Sequence, residues 1–264
     1  EAFLALGQHI FLGIFVALIS AFTIFIISSS YSYIIEIFPG GGGGYLVASK
    51  LLSPTFGMIS GCALIIDYVL TITISVAAGA AAIFSFLPEE LRQYTLLFAL
   101  LGVLFLMVIN LRGVRESVLL LAPIFLAFIV THAIIIIYAI IIHFSDFPGL
   151  IGAGKADIGT AYIELGLLGM FFLIMKAYTV GAGTYTGIEA VSNGLSILRE
   201  PRVKTAKRTM LYMASSLAFM AVGLMVAYLL YGVEHVPAKT LNAVLYEGVT
   251  GGWGSFGYAF LLAA

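Results

Sequence analysis

Three stretches of this chain, 93–111, 117–142 and 209–233, contain no Asp, Glu, Lys or Arg. Each reaches the roughly 20 residues that a helix needs to cross a bilayer. Composition agrees: 62% of the 264 residues are hydrophobic and 9% are charged, against roughly 25% charged in an ordinary soluble domain. A water-soluble globule is ruled out, and the chain reads as an all-α integral membrane protein in a lipid bilayer. A net charge of -1 removes the electrostatic footprint of a nucleic-acid binder. The single Cys62 removes disulfides and Cys-based metal clusters.

Hydropathy gives seven segments, at about 10–35, 56–87, 94–111, 118–143, 165–198, 209–231 and 253–264. The chain opens on Glu1 rather than Met and lacks a basic leader, and it ends inside an apolar run. We therefore expect one multi-pass transmembrane transporter domain over 1–264, the last segment truncated, as part of a larger protein. The connections sort basic residues by parity. Lys50, Arg112, Arg115, Arg199, Arg202, Lys204, Lys207 and Arg208 fall on one side, and Arg92, Lys155 and Lys239 on the other. The positive-inside rule makes the first side cytoplasmic, so segment 10–35 runs inward. If the intact protein starts in the cytoplasm, an odd number of helices precedes Glu1.

Segment 165–198 is too long for a simple crossing: 34 residues at 1.5 Å each come to about 50 Å, against a hydrocarbon core of about 30 Å. Its middle reads Gly181-Ala182-Gly183-Thr184-Tyr185-Thr186-Gly187. Three glycines in seven residues favour an interruption at 181–187, and backbone freed at membrane depth is tolerated only when buried in protein or lining a cavity. Broken helices of secondary transporters use this to present carbonyls to cations and N–H groups to anions. Packing through small residues would give the same spacing; Glu189 just beyond favours the break.

Asp67 lies about 10 residues into segment 56–87, about 15 Å deep, where a carboxylate must be paired, hydrated or protonated. Thr71 and Ser75 follow at i+4 and i+8 on the same helix face, and Thr186 and Glu189 share an i, i+3 relation. Carboxylate and hydroxyl oxygens suit a hard cation, whereas a soft metal would want Cys or clustered His. The bland alternatives are a structural acid capped by a neighbouring hydroxyl, and hydroxyls bonded back to i-4 carbonyls. Lys176 fits a counter-ion of either acid or a snorkelling side chain. His9, His132, His143 and His235 have no ligand spacing and read as packed or interfacial. The run 40–44 of five glycines is no Walker loop, and is either a flexible linker or a packed element.

Ile37-Phe38-Pro39 running into those glycines and Tyr45, Asn110-Leu111-Arg112-Gly113-Val114-Arg115-Glu116-Ser117, and the block 181–193 through Arg199-Glu200-Pro201 resemble the amino acid-polyamine-organocation superfamily. The resemblance spans almost the whole chain. Within it, Ile66-Asp67-Tyr68-Val69-Leu70-Thr71 with Ser75, and the Gly-Thr-Tyr-Thr-Gly-Ile-Glu block 183–189, are most similar to KUP-type potassium/proton symporters of the KimA kind. The resemblance implies a LeuT-like inverted-repeat fold, of which this partial chain holds about helices 2 to 7 and the start of 8. It also implies ion binding by Asp67, Thr71, Ser75, Thr186 and Glu189, with potassium at Asp67, Thr71, Thr186 and Glu189. The first broken helix, which carries part of the family's site, is absent from the sequence.

Three function classes compete. The first is a proton-coupled potassium importer of the plasma membrane, one acid coordinating the cation while another exchanges a proton. The second is an amino acid permease, proton- or sodium-coupled, which leaves Asp67 unexplained. The third is an intramembrane aspartyl protease with Asp67 and Glu189 as its dyad, but the glycine context and second Asp of such enzymes are missing. We therefore expect a transporter, not an enzyme, without a cofactor, whose partners are the bilayer and a small cation or amino acid. A homodimer of the intact protein is compatible with this reading.

Overall fold

The computed structural model describes residues 2–237 and 239–263, and they form helices and turns with no strand. The main helices are α1 (Gly13–Ile37), α2 (Gly43–Val47), α3 (Pro54–Phe84), α4 (Thr95–Arg112), α5 (Val114–Ile142), α6 (Phe147–Val180), α7 (Ala190–Asn193), α8 (Arg202–Leu230), α9 (Leu241–Thr250) and α10 (Gly254–Ala263). Six helical stretches are long and apolar enough to cross a membrane: Ile10–Ile37, Pro54–Phe84, Glu89–Arg112, Glu116–Ile142, Phe144–Asn193 and Arg202–Leu230. The seventh expected segment, 253–264, holds the ten-residue α10, and its last residue, Ala264, lies outside the described residues.

Two elements differ from the hydropathy expectation. The run expected to start at 165 begins at Phe147, and Gly166, at φ 65 and ψ 173, divides α6 into two helices. The first half carries Lys155, Asp157 and Glu164, whose charges hide a helix from a hydropathy window. Its Asp157 is also anchored: Oδ1 lies 3.0 Å from His9 Nδ1, and Oδ2 accepts from the Phe11 amide at 3.1 Å. Helix α9 is only ten residues long, too short for a hydropathy signal. Thr240 caps it by accepting from the Ala243 amide at 3.2 Å, and its buried stripe of Leu241, Leu245 and Val249 has helical spacing.

The chain divides into two compact units. The first comprises 1–8, 12–71 and 165–222. Its core joins Ile24 and Ile35 of α1, Ile188 and Leu195 from the interrupted region, and Ala206, Met210 and Ala214 of α8, all fully buried. Ser28 Oγ donates to the Met210 carbonyl at 3.2 Å, which ties α1 to α8. The second comprises 9–11, 72–164 and 223–264. Here α4 and α9 pack on α5, the Tyr246 ring meets that of His132 at 5.3 Å, and Ser85 Oγ accepts from the Thr240 amide at 3.1 Å.

Within the second unit, a Cβ on Gly223 would stand 2.6 Å from Cγ2 of the fully buried Ile136. A Cβ on Gly79 in α3 meets nothing within 4 Å. Gly223→Val should therefore lower stability by about 1–3 kcal/mol through overpacking. Gly79→Ala should leave it unchanged or raise it by up to about 1 kcal/mol. Detergent-solution melting of the two variants measures both; equal melting would mean that α5 and α8 do not approach as described.

Candidate functional site

The site starts from the interruption. Helix α6 stops at Val180, a 3-10 turn covers Gly181–Tyr185, Thr186 is extended, and Gly187 at φ 89 reverses the chain before α7. A left-handed backbone of this kind favours glycine, which explains the residue at 187. Ile188, fully buried in the core between α1 and α8, pins the loop, and the turn rests against α1. Around that anchor Glu189 is held in place: its Oε2 accepts from the Gly187 amide at 3.1 Å. Thr186 Oγ1 donates to the Gly183 carbonyl at 3.0 Å, so its lone pairs remain available.

Asp67, Thr186 and Glu189 line one cavity of about 440 Å³ within the first unit. Helix α3 contributes a single face: Ser60, Ala63, Leu64 and Asp67 stand at i, i+3, i+4 and i+7. Helix α1 adds Tyr31, and α2 adds Tyr45. No Lys or Arg is among the lining residues, while two carboxylates are. Glu189 Oε1 is buried with no hydrogen-bond partner, and so is Asn193 Oδ1. Buried acceptors without donors are costly, and oxygen atoms in that condition beside two acids suit a cation.

The other expected residues fall elsewhere. Thr71 is half-buried one turn beyond Asp67, but it is not among the lining residues. Ser75 is exposed and belongs to the second unit. Lys176 is exposed on α6, outside the cavity lining, and has no ion-pair partner among the described residues. Sequence reasoning missed Tyr31, Tyr45, Ser60 and Asn193. Two of these carried a signal: Ser60 precedes Asp67 by two helical turns, and Asn193 follows Glu189 by one.

The glycine run is a packed element. Gly41, Gly42 and Gly43 have φ of 87, 98 and 47. A Cβ on Gly41 would stand 3.2 Å from the Asn193 carbonyl oxygen, and one on Gly43 would overlap Asn193 Oδ1. The same Asn193 donates through Nδ2 to the hydroxyl of Tyr68 at 2.7 Å, and Tyr68 adjoins Asp67. The glycines thus let the connection press directly on the end of the interrupted helix.

A family model described as amino acid permease matches residues 2–264. The potassium transporter KimA of Bacillus subtilis (strain 168) is 35% identical over 215 residues, which cover 80% of this chain and 34% of that protein. The chain spans about a third of the length of this curated relative.

Gly43→Ala must adopt a strained φ and displace Asn193, so we expect a loss of about 1–3 kcal/mol in stability. Gly42→Val, at φ 98 and with its Cβ 3.1 Å from that of Leu46, should also be destabilising. Gly40→Ala has open space and no positive φ, and should stay within about 0.5 kcal/mol. A thermal-shift series on these three variants decides; indistinguishable melting would identify the run as a tether.

Proposed function

Because the chain belongs to the amino acid permease family of the amino acid-polyamine-organocation superfamily, we propose that it forms part of a secondary active transporter of the plasma membrane that takes up potassium with protons. The observation that carries this reading is the cavity that gathers Asp67, Thr186 and Glu189 with unpartnered buried oxygens and no basic side chain. Asp67 and Glu189 supply the charge, Thr186 a neutral oxygen, and one acid exchanges a proton as the site changes its exposure. Thr71 and Ser75 follow Asp67 at i+4 and i+8 on α3, outside the cavity lining. The identity to a potassium transporter supports the choice of ion.

The family model's description favours a second reading, transport of an amino acid. The interrupted region would then supply N–H groups and carbonyls to the substrate's carboxylate and amine. That reading gives the two acids less to do, since a zwitterion brings its own anion into a cavity that already holds two carboxylates.

In the full-length protein, Asp67→Asn preserves size and some hydrogen bonding while removing the charge. We expect it to abolish rubidium and potassium uptake with little loss of melting temperature. Thr186→Ala removes one neutral ligand, about 1 kcal/mol net, and should weaken apparent affinity several-fold. Thr71→Ala and Ser75→Ala should weaken it less, as neither lines the cavity. A protonophore should stop uptake by the unaltered protein. Normal uptake by Asp67→Asn would sink the cation site, and labelled amino acid uptake without rubidium uptake would establish the second reading.

A further inference from the structure

The first unit carries another polar cleft, between α1 and the start of α8, that shares no lining residue with the Asp67 cavity. It has two lobes of about 380 and 720 Å³ that share Ser32, Glu36, Lys207 and Leu211. The larger lobe is lined by three cations, Lys204, Lys207 and Arg208, and one acid, Glu36. Lys207 is paired with Glu36. Lys204 and Arg208 are exposed and have no ion-pair partner among the described residues, so the mouth of the cleft carries two uncompensated positive charges.

The smaller lobe is different in kind. It is lined by Ser28, Ser29 and Ser32, with Phe25 and Leu211, both exposed. Ser32 Oγ donates to the Ser28 carbonyl at 2.8 Å and Ser28 Oγ to the Met210 carbonyl at 3.2 Å, which fixes their rotamers and leaves each oxygen with acceptor capacity. Ser28 lies eight residues before Glu36 on α1, about 12 Å deeper along the helix. The cleft therefore runs from paired and unpaired charges at the helix ends, through hydroxyls, to exposed apolar side chains. A phospholipid has the same order of groups along its length: phosphate, glycerol ester, acyl chain. The charge asymmetry of the connections puts this end of α1 and α8 at the cytoplasmic face, where anionic lipids concentrate.

We propose that this cleft binds one anionic glycerophospholipid of the cytoplasmic leaflet, its phosphate between Lys204 and Arg208 and its glycerol region against Ser28, Ser29 and Ser32. Neutralising the two charges should cost about fivefold each, about thirtyfold together. The test uses the delipidated full-length protein in neutral detergent. Phosphatidylglycerol is titrated in and the one-to-one complex is read by native mass spectrometry, with phosphatidylcholine and sodium phosphate as comparators. We expect a preference for phosphatidylglycerol of tenfold or more, reduced about thirtyfold in K204Q/R208Q and retained in the charge-preserving K204R/R208K. If K204Q/R208Q fails to fold, the single K204Q and R208Q variants should each lose about fivefold. Absence of a preference in the unaltered protein would overturn the proposal. So would undiminished binding by the charge-removed variants, or displacement of the lipid by millimolar sodium phosphate.

Discussion

Backbone that leaves a helix at membrane depth must find partners without water, and in this protein Thr186 Oγ1 donates to the Gly183 carbonyl, the Gly187 amide to Glu189 Oε2 and the Ala190 amide to the Gly187 carbonyl. Ile188 goes into the core between α1 and α8 with no exposure at all. Its position obliges Gly187 to take a left-handed turn and leaves Thr186 and Glu189 on the other side of the backbone, against the cavity. The hydrophobic core and the polar site are therefore two faces of the same four residues, 186–189. Close packing of the fully buried Ile188 against α1 and α8 holds a carboxylate where hydration alone would not place it.

The second acid is placed by periodicity. Ser60, Ala63, Leu64 and Asp67 follow the spacing of one helical face, so a straight α3 brings all four to the cavity once any one of them faces it. The small side chains at 60 and 63 leave room, and the large ones, Ile65 and Ile66, stand on the exposed side. That Thr71 is half-buried while Ser75 is exposed shows the face leaving the first unit within two turns.

Much of this was legible in the sequence, for reasons specific to membranes. Charge-free runs as long as 117–142 have few alternatives to spanning helices, and acids at 67 and 189 stand out where acids are rare. The glycine triplet with Glu189 just beyond located the interruption, because glycine is the residue least confined to helical backbone angles and an acid at that depth needs a polar surrounding. What escaped followed from the same method. The first half of α6 and the short α9 are helices that hydropathy does not register, one too charged and the other too short. Tyr31 and Tyr45 are ordinary residues in a membrane protein, and only tertiary packing shows which of fourteen tyrosines meets the site.

Packing also joins the site to the connection after α1. Asn193 bonds Tyr68 beside Asp67 with its amide nitrogen, and fills with its amide oxygen the space that a Cβ on Gly43 would need. Its carbonyl oxygen would stand 3.2 Å from a Cβ on Gly41. A side chain at 41 or 43 would therefore displace Asn193. Moving Asn193 in turn stretches or breaks a 2.7 Å hydrogen bond one residue from the acid. The connection after α1 and the α3 face of the cavity are therefore linked through one side chain, that of Asn193.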